Sequence, residues 1–198
     1  MGKNVFVSAD WKDHGNPESD DKDVVDRIRK WSDDLRYSTE FRYTDDVKDS
    51  VLKPSNPDCR RCDIKGECGD QIDWSSVVIF VVGDKVASKT AGECNGVSCS
   101  PAYSGLGTER CKYYKSPAED VDGGNGMSYL KFEITKAARE GKSILLVFNS
   151  VNKMESWIPS WYNTLCKDYI FTELGRVPFW NEVKGTKDCY YDIKGYLM

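Results

Sequence analysis

The 198 residues are 39% hydrophobic and 30% charged, enough for one domain with a sizeable core, and a mean hydropathy of -0.59 is that of an ordinary water-soluble chain. The net charge of -4 removes any global attraction to phosphate backbones, so nucleic acid is disfavoured as a partner. The longest apolar run, Val77 to Val82, falls far short of the ~20 residues that cross a membrane. Eight cysteines accompany a single histidine, His14, so any zinc site is mainly thiolate and sites needing two histidines are excluded.

Met1-Gly-Lys-Asn-Val-Phe6 leads straight into a strand pattern without a basic region and apolar signal core, so a cytoplasmic protein with reduced thiols is the expectation. Val5-Phe-Val7 reads as a short buried strand that emerges at Ser8-Ala-Asp10. Trp11 to Asp23, with His14, Gly15, Asn16 and Pro17, reads as loop, and Ser19 or Asp20 is placed to cap the next helix. Val24, Val25, Ile28, Trp31 and Leu35 recur at helical spacing and predict an amphipathic helix to about Leu35. Phe41-Arg-Tyr-Thr44 alternates as a strand and ends at Asp45-Asp46.

Residues from about 51 to 70 break into Pro54, Pro57, Gly66 and Gly69 among Cys59, Cys62 and Cys68, an irregular cysteine-containing segment with room for a short helix. Val77-Val-Ile-Phe-Val-Val82 is β-branched, continuously apolar and closed by Gly83-Asp84, which marks a central parallel strand buried on both faces. A second irregular cysteine-containing segment runs from about 85 to 127, too long for a plain connection, and reads as an insertion. Tyr129 to Arg139 then predicts a helix, Gly141 a stop, and Ile144 to Phe148 a buried strand. Trp161, Leu165 and Tyr169 outline a short helix, Val177, Phe179 and Trp180 a last edge strand, and Tyr190 to Leu197 a terminal helix. The alternation predicts a single α/β domain over 1–198, an open parallel sheet with helices on both faces. Ligands of such sheets bind beyond the carboxyl ends of the strands, which here carry Ser8, Asp10, Asp45, Gly83, Asp84 and Asn149.

Three constellations carry chemistry. Leu130, Ile134, Ala137 and Ala138 share one helical face, and Glu133 falls inside it, a carboxylate where a core residue belongs. A carboxylate near a helix start is stabilised by unpaired N–H groups, which is a sufficient structural role; in a dry cleft the same group stabilises a developing cation or acts as a base. Cys59-Arg-Arg-Cys62 has zinc-ligand spacing, with Cys68 close by and Cys94, Cys99 or Cys111 as a fourth ligand; free thiols and disulfides are the alternatives. Gly141-Lys142-Ser143 imitates a phosphate loop, but Lys136 stands at its first glycine and a strand follows rather than precedes it, so it is rejected.

Val5-Phe-Val-Ser8, Phe41-Arg-Tyr-Thr-Asp-Asp46, Val77 to Asp84 and Phe132-Glu-Ile-Thr-Lys-Ala-Ala-Arg-Glu-Gly-Lys-Ser-Ile-Leu-Leu-Val-Phe148, in this order, resemble a Toll/interleukin-1 receptor (TIR) domain. The resemblance is to the prokaryotic TIR-like group that includes the Thoeris antiphage defence proteins, and it covers about Val5 to Asn149 without the cysteine-containing insertions. It implies a flavodoxin-like fold and an enzyme that cleaves NAD, as a glycohydrolase or as a cyclase making a nucleotide signal. It also implies Glu133 as the catalytic carboxylate, with Ser8, Asp10, Trp11, Asp45, Gly83 and Asp84 around the nucleotide. The implied partners are NAD or a related nucleotide, a second copy of the chain, and an effector protein reached through a diffusible signal. The competing expectation is a non-enzymatic TIR-like scaffold whose insertion is held by zinc on Cys59, Cys62, Cys68 and Cys94.

Overall fold

A computed structural model describes residues 3–9, 21–34, 41–43, 61–90, 92–93, 124–180 and 186–197. Five strands, β1 (Lys3–Ser8), β2 (Phe41–Tyr43), β3 (Val77–Val82), β4 (Ser143–Phe148) and β5 (Glu173–Pro178), form one sheet in the order β2-β1-β3-β4-β5. Every neighbouring pair is parallel. The described helices are α1 (Lys22–Asp33), α2 (Arg61–Trp74), α3 (Tyr129–Arg139), α4 (Ser160–Asp168) and α5 (Thr186–Leu197). The expected α/β architecture, an open parallel sheet with helices on both faces, is the one observed.

The alternation along each strand explains the layers. All six residues of β3 are buried, and so are the last five of β4. Val77, Ile79, Val81, Leu145 and Val147 face one side, where Val24, Val25, Ile28 and Trp31 of α1 and Tyr190, Ile193 and Leu197 of α5 cover them. Val78, Phe80, Val82, Ile144, Leu146 and Phe148 face the other, under Ile72 of α2, Leu130, Ile134, Ala137 and Ala138 of α3, and Tyr162 and Leu165 of α4. A strand with side chains on two apolar layers has no solvent face, so its sequence reads as one continuous apolar run.

Strand order 2-1-3-4-5 is that of flavodoxin-like doubly wound sheets, whose topological switch lies between β1 and β3. The chain leaves β1 for one edge and leaves β3 for the other, and sheets of this order hold their ligands at the carboxyl ends of that strand pair. Ser8 ends β1 there, Gly83 follows β3, and Asn149 follows β4.

The first irregular segment is corrected in its second half. Residues 61–74 form the 14-residue helix α2. Ile64, Cys68 and Ile72, spaced i, i+4, i+8, supply the apolar stripe, with Cys68 and Ile72 buried in the core beside α3. Glycines 66 and 69 hide that stripe from a propensity reading, and the helix forms because tertiary burial outweighs them. The second segment shows short 3-10 turns at Val86–Ser88 and Gly124–Gly126, and 94–123 lies outside the described residues. A cysteine-rich insertion there is accordingly an expectation only.

Gly66 sits in the interior of α2 with open space where a Cβ would project. Gly66→Ala should stabilise the protein by about 0.8–1 kcal/mol through helix propensity. The check is a higher urea midpoint at an unchanged denaturant slope.

Candidate functional site at the carboxyl edge of the sheet

α3 begins cleanly. Ser128 is its N-cap, in extended backbone, and its Oγ accepts the Lys131 N–H at 3.3 Å. Leu130, Ile134, Ala137 and Ala138 anchor the helix on β3 and β4, as their spacing predicts. Glu133 lies on the same side at 8% exposure, the buried carboxylate expected from the pattern.

The carboxylate meets Ser8. Phe6 and Ser8 alternate onto the face that α3 covers, and Ser8, the last residue of β1, has no exposed surface. Its Oγ donates to Glu133 Oε2 at 2.6 Å, in the range of a charge-assisted O–H···O⁻ bond. Two residues 125 positions apart are thus joined at the switch point between β1 and β3. The helix start contributes less than the sequence suggests. Glu133 is the fifth helical residue, past the first turn where the dipole acts, and Ser128 already caps the N-terminus.

A second buried carboxylate lies at the same edge and was missed by sequence reasoning. Asp21, 3% exposed, precedes α1 but makes no side-chain cap to it. Its Oδ1 accepts from Asn149 Nδ2 at 3.0 Å, and Asn149 Oδ1 accepts from the indole N–H of Trp180. Gly83 is required here by close approach: a Cβ on it would stand 2.5 Å from Asp21 Oδ1. The sequence places the helix cap at Ser19 or Asp20, whereas the N-cap position is Asp21. Nothing in that spacing announces burial over the ends of β3 and β4.

Of the site residues expected from sequence, Ser8 and Glu133 come together, and Gly83 is buried beside Asp21. Asp84 is exposed in the turn after β3. Asp10, Trp11 and Asp45 lie outside the described residues, as do Cys59 and Cys94. Cys68 is 5% exposed and packed in the apolar cluster. Cys62 lies on α2, and its side chain is outside the described residues. Among the described residues no group of three or more His, Cys, Asp or Glu side chains is placed to hold a metal.

Chemically, the pairing leaves a buried carboxylate, met by the Ser8 hydroxyl, at the end of the sheet where ligands of this architecture enter. It can exchange the serine hydroxyl for a hydroxyl of a ligand, and it can stabilise positive charge that develops nearby. Comparisons with protein-family models, with curated proteins and with solved structures find no match.

Ser8→Ala removes the donor from a buried acceptor and should cost about 1.5–3 kcal/mol in urea unfolding at neutral pH. Combined with Glu133→Gln it should cost less than the two separate losses together, because both changes act on one contact. Gly83→Ala should cost about 1–3 kcal/mol by displacing the Asp21 carboxylate from Asn149.

Proposed function

We propose that the chain is a TIR-like enzyme that cleaves the bond between nicotinamide and ribose in NAD, acting in prokaryotic antiphage defence or signalling. The observation that carries the reading is the buried Glu133 carboxylate, bonded to Ser8 at the switch point of a parallel sheet of order 2-1-3-4-5. The resemblance around Phe132-Glu133 and Gly141-Lys142 supplies the reaction that such a carboxylate serves.

Departure of neutral nicotinamide leaves the ribose C1′ with oxocarbenium character, and a carboxylate in a low-dielectric wall stabilises that charge. Glu133 takes this role, and its Ser8 bond holds the acceptor oxygen where a ribose hydroxyl replaces the serine. Water then adds to C1′ and loses a proton, giving ADP-ribose; attack by a nucleophile within ADP-ribose gives a cyclic signal instead. Gly83 and Asp84, with Asp10, Trp11 and Asp45 on the neighbouring segments, complete the nucleotide surface in this proposal. Assembly of several copies and an effector answering the product belong to the same proposal.

A second reading is favoured by one observation: the Glu133 carboxylate already has a hydrogen-bond donor and is 8% exposed. In that reading it ties α3 to β1 in a non-enzymatic TIR-like scaffold, with structural zinc on the cysteine-containing segments. The two readings separate in one assay, run over a range of protein concentrations because assembly is part of the first. Wild-type protein should release nicotinamide from NAD, and Glu133→Gln should lower the rate about 100-fold or more while remaining folded. Release undiminished by the substitution, or none from the wild type beside one bound zinc per chain by metal analysis, would overturn the enzymatic reading.

A further inference from the structure

Lys65 is one of the few charged residues buried in the described structure, at 6% exposure, and it sits on α2 in the segment that reads as irregular from sequence. Its burial keeps it out of any exposed basic cluster with the neighbouring arginines of the sequence. A buried ammonium is costly unless it is met by acceptors. Here Nζ donates to the backbone carbonyls of Gly124 and Met127, the latter at 2.6 Å, and lies 6.0 and 5.8 Å from the ring centroids of Tyr129 and Phe132.

Every one of these partners belongs to the chain entering α3. Gly124 and Met127 bracket the 3-10 turn, whose own closing bond runs from the Met127 N–H to the Gly124 carbonyl. Ser128, the buried N-cap, follows, and the Phe132 N–H reaches its carbonyl at 2.9 Å. The Tyr129 ring also lies against Gly92, at φ +96°, where a Cβ would stand 2.7 Å from the ring. Glu133 is one turn beyond Tyr129, and in an α-helix its N–H is directed at the Tyr129 carbonyl. Whatever sets the first turn of α3 therefore sets where the Glu133 carboxylate stands relative to Ser8.

We infer that Lys65 is a positioning residue for Glu133: its ammonium clamps the turn at 124–127 and thereby fixes the start of α3 and the register of the carboxylate against Ser8. An apolar side chain at 65 would pack α2 on α3 equally well, but it would offer nothing to the two carbonyls, whose lone pairs the ammonium satisfies. A displacement of about 1 Å in a reacting group is enough to lower a rate about a hundredfold, so a clamp on the helix start bears directly on catalysis. The catalytic half of the inference rests on the NAD-cleaving reading, and the structural half does not.

The test uses the full chain carrying Lys65→Met and, as the conservative variant, Lys65→Arg, with hydrogen exchange and nicotinamide release read on the same samples. In Lys65→Met the amides of 128–133 should exchange about tenfold faster while those of β3 and β4 keep their protection, since only the local opening is made easier. The turnover number should fall about tenfold or more with KM nearly unchanged, and Lys65→Arg should recover most of both effects. Unchanged exchange at 128–133, acceleration spread evenly over β3 and β4, or Lys65→Arg as impaired as Lys65→Met would overturn the inference. Wild-type protein that releases no nicotinamide and carries one bound zinc per chain sinks the NAD reading alone, and the exchange pattern by itself then decides whether Lys65 fixes the start of α3. Loosened amides at 128–133 with an unaltered turnover number would refute positioning.

Discussion

A strand with no exposed side chain has to be covered on both faces, and Val77–Val82 is such a strand. Its neighbours β1 and β4 inherit the same demand, which α1 and α5 meet on one side and α2, α3 and α4 on the other. Parallel pairing then brings every carboxyl end to one edge of the sheet. The polar residues that end the buried strands, Ser8 and Asn149, together with Gly83 after β3, are collected there without being near in sequence.

The edge handles two carboxylates in the same way. Glu133 arrives on a helix of one layer and Asp21 at the start of a helix of the other. Each would carry a desolvation penalty of several kcal/mol if left unmatched. Each is met by a polar side chain from a strand end, Ser8 for Glu133 and Asn149 for Asp21, with Trp180 holding the asparagine. The surroundings differ in one respect that bears on function. Asp21 lies where a Cβ on Gly83 would stand, whereas Glu133 meets the hydroxyl of Ser8 at the carboxyl end of β1, beside β3.

The elements that dominate the core were legible in the chain because burial leaves a period. β3 and β4 show the unbroken apolar run of a doubly covered strand, and α3 the 3.6-residue stripe that also exposed Glu133 as out of place. α2 was not legible, because its stripe consists of Ile64, Cys68 and Ile72 interrupted by glycines, and it is helical only through its contact with the core beside α3. The burial of Lys65 was not legible for the same reason: nothing in its spacing shows that the helix turns it towards α3.

By itself, the sequence determined the layered parallel architecture, the position of α3 and the presence of a carboxylate in its apolar face. These are local or periodic properties, set by which side chains water rejects. Only the tertiary structure decided that Glu133 is held by Ser8, that Asp21 is a second buried carboxylate, and that Lys65 faces the entry to α3. Those contacts join residues 125, 128 and 62 positions apart, and partners at such separations are chosen by strand order and helix placement, which leave no period along the chain.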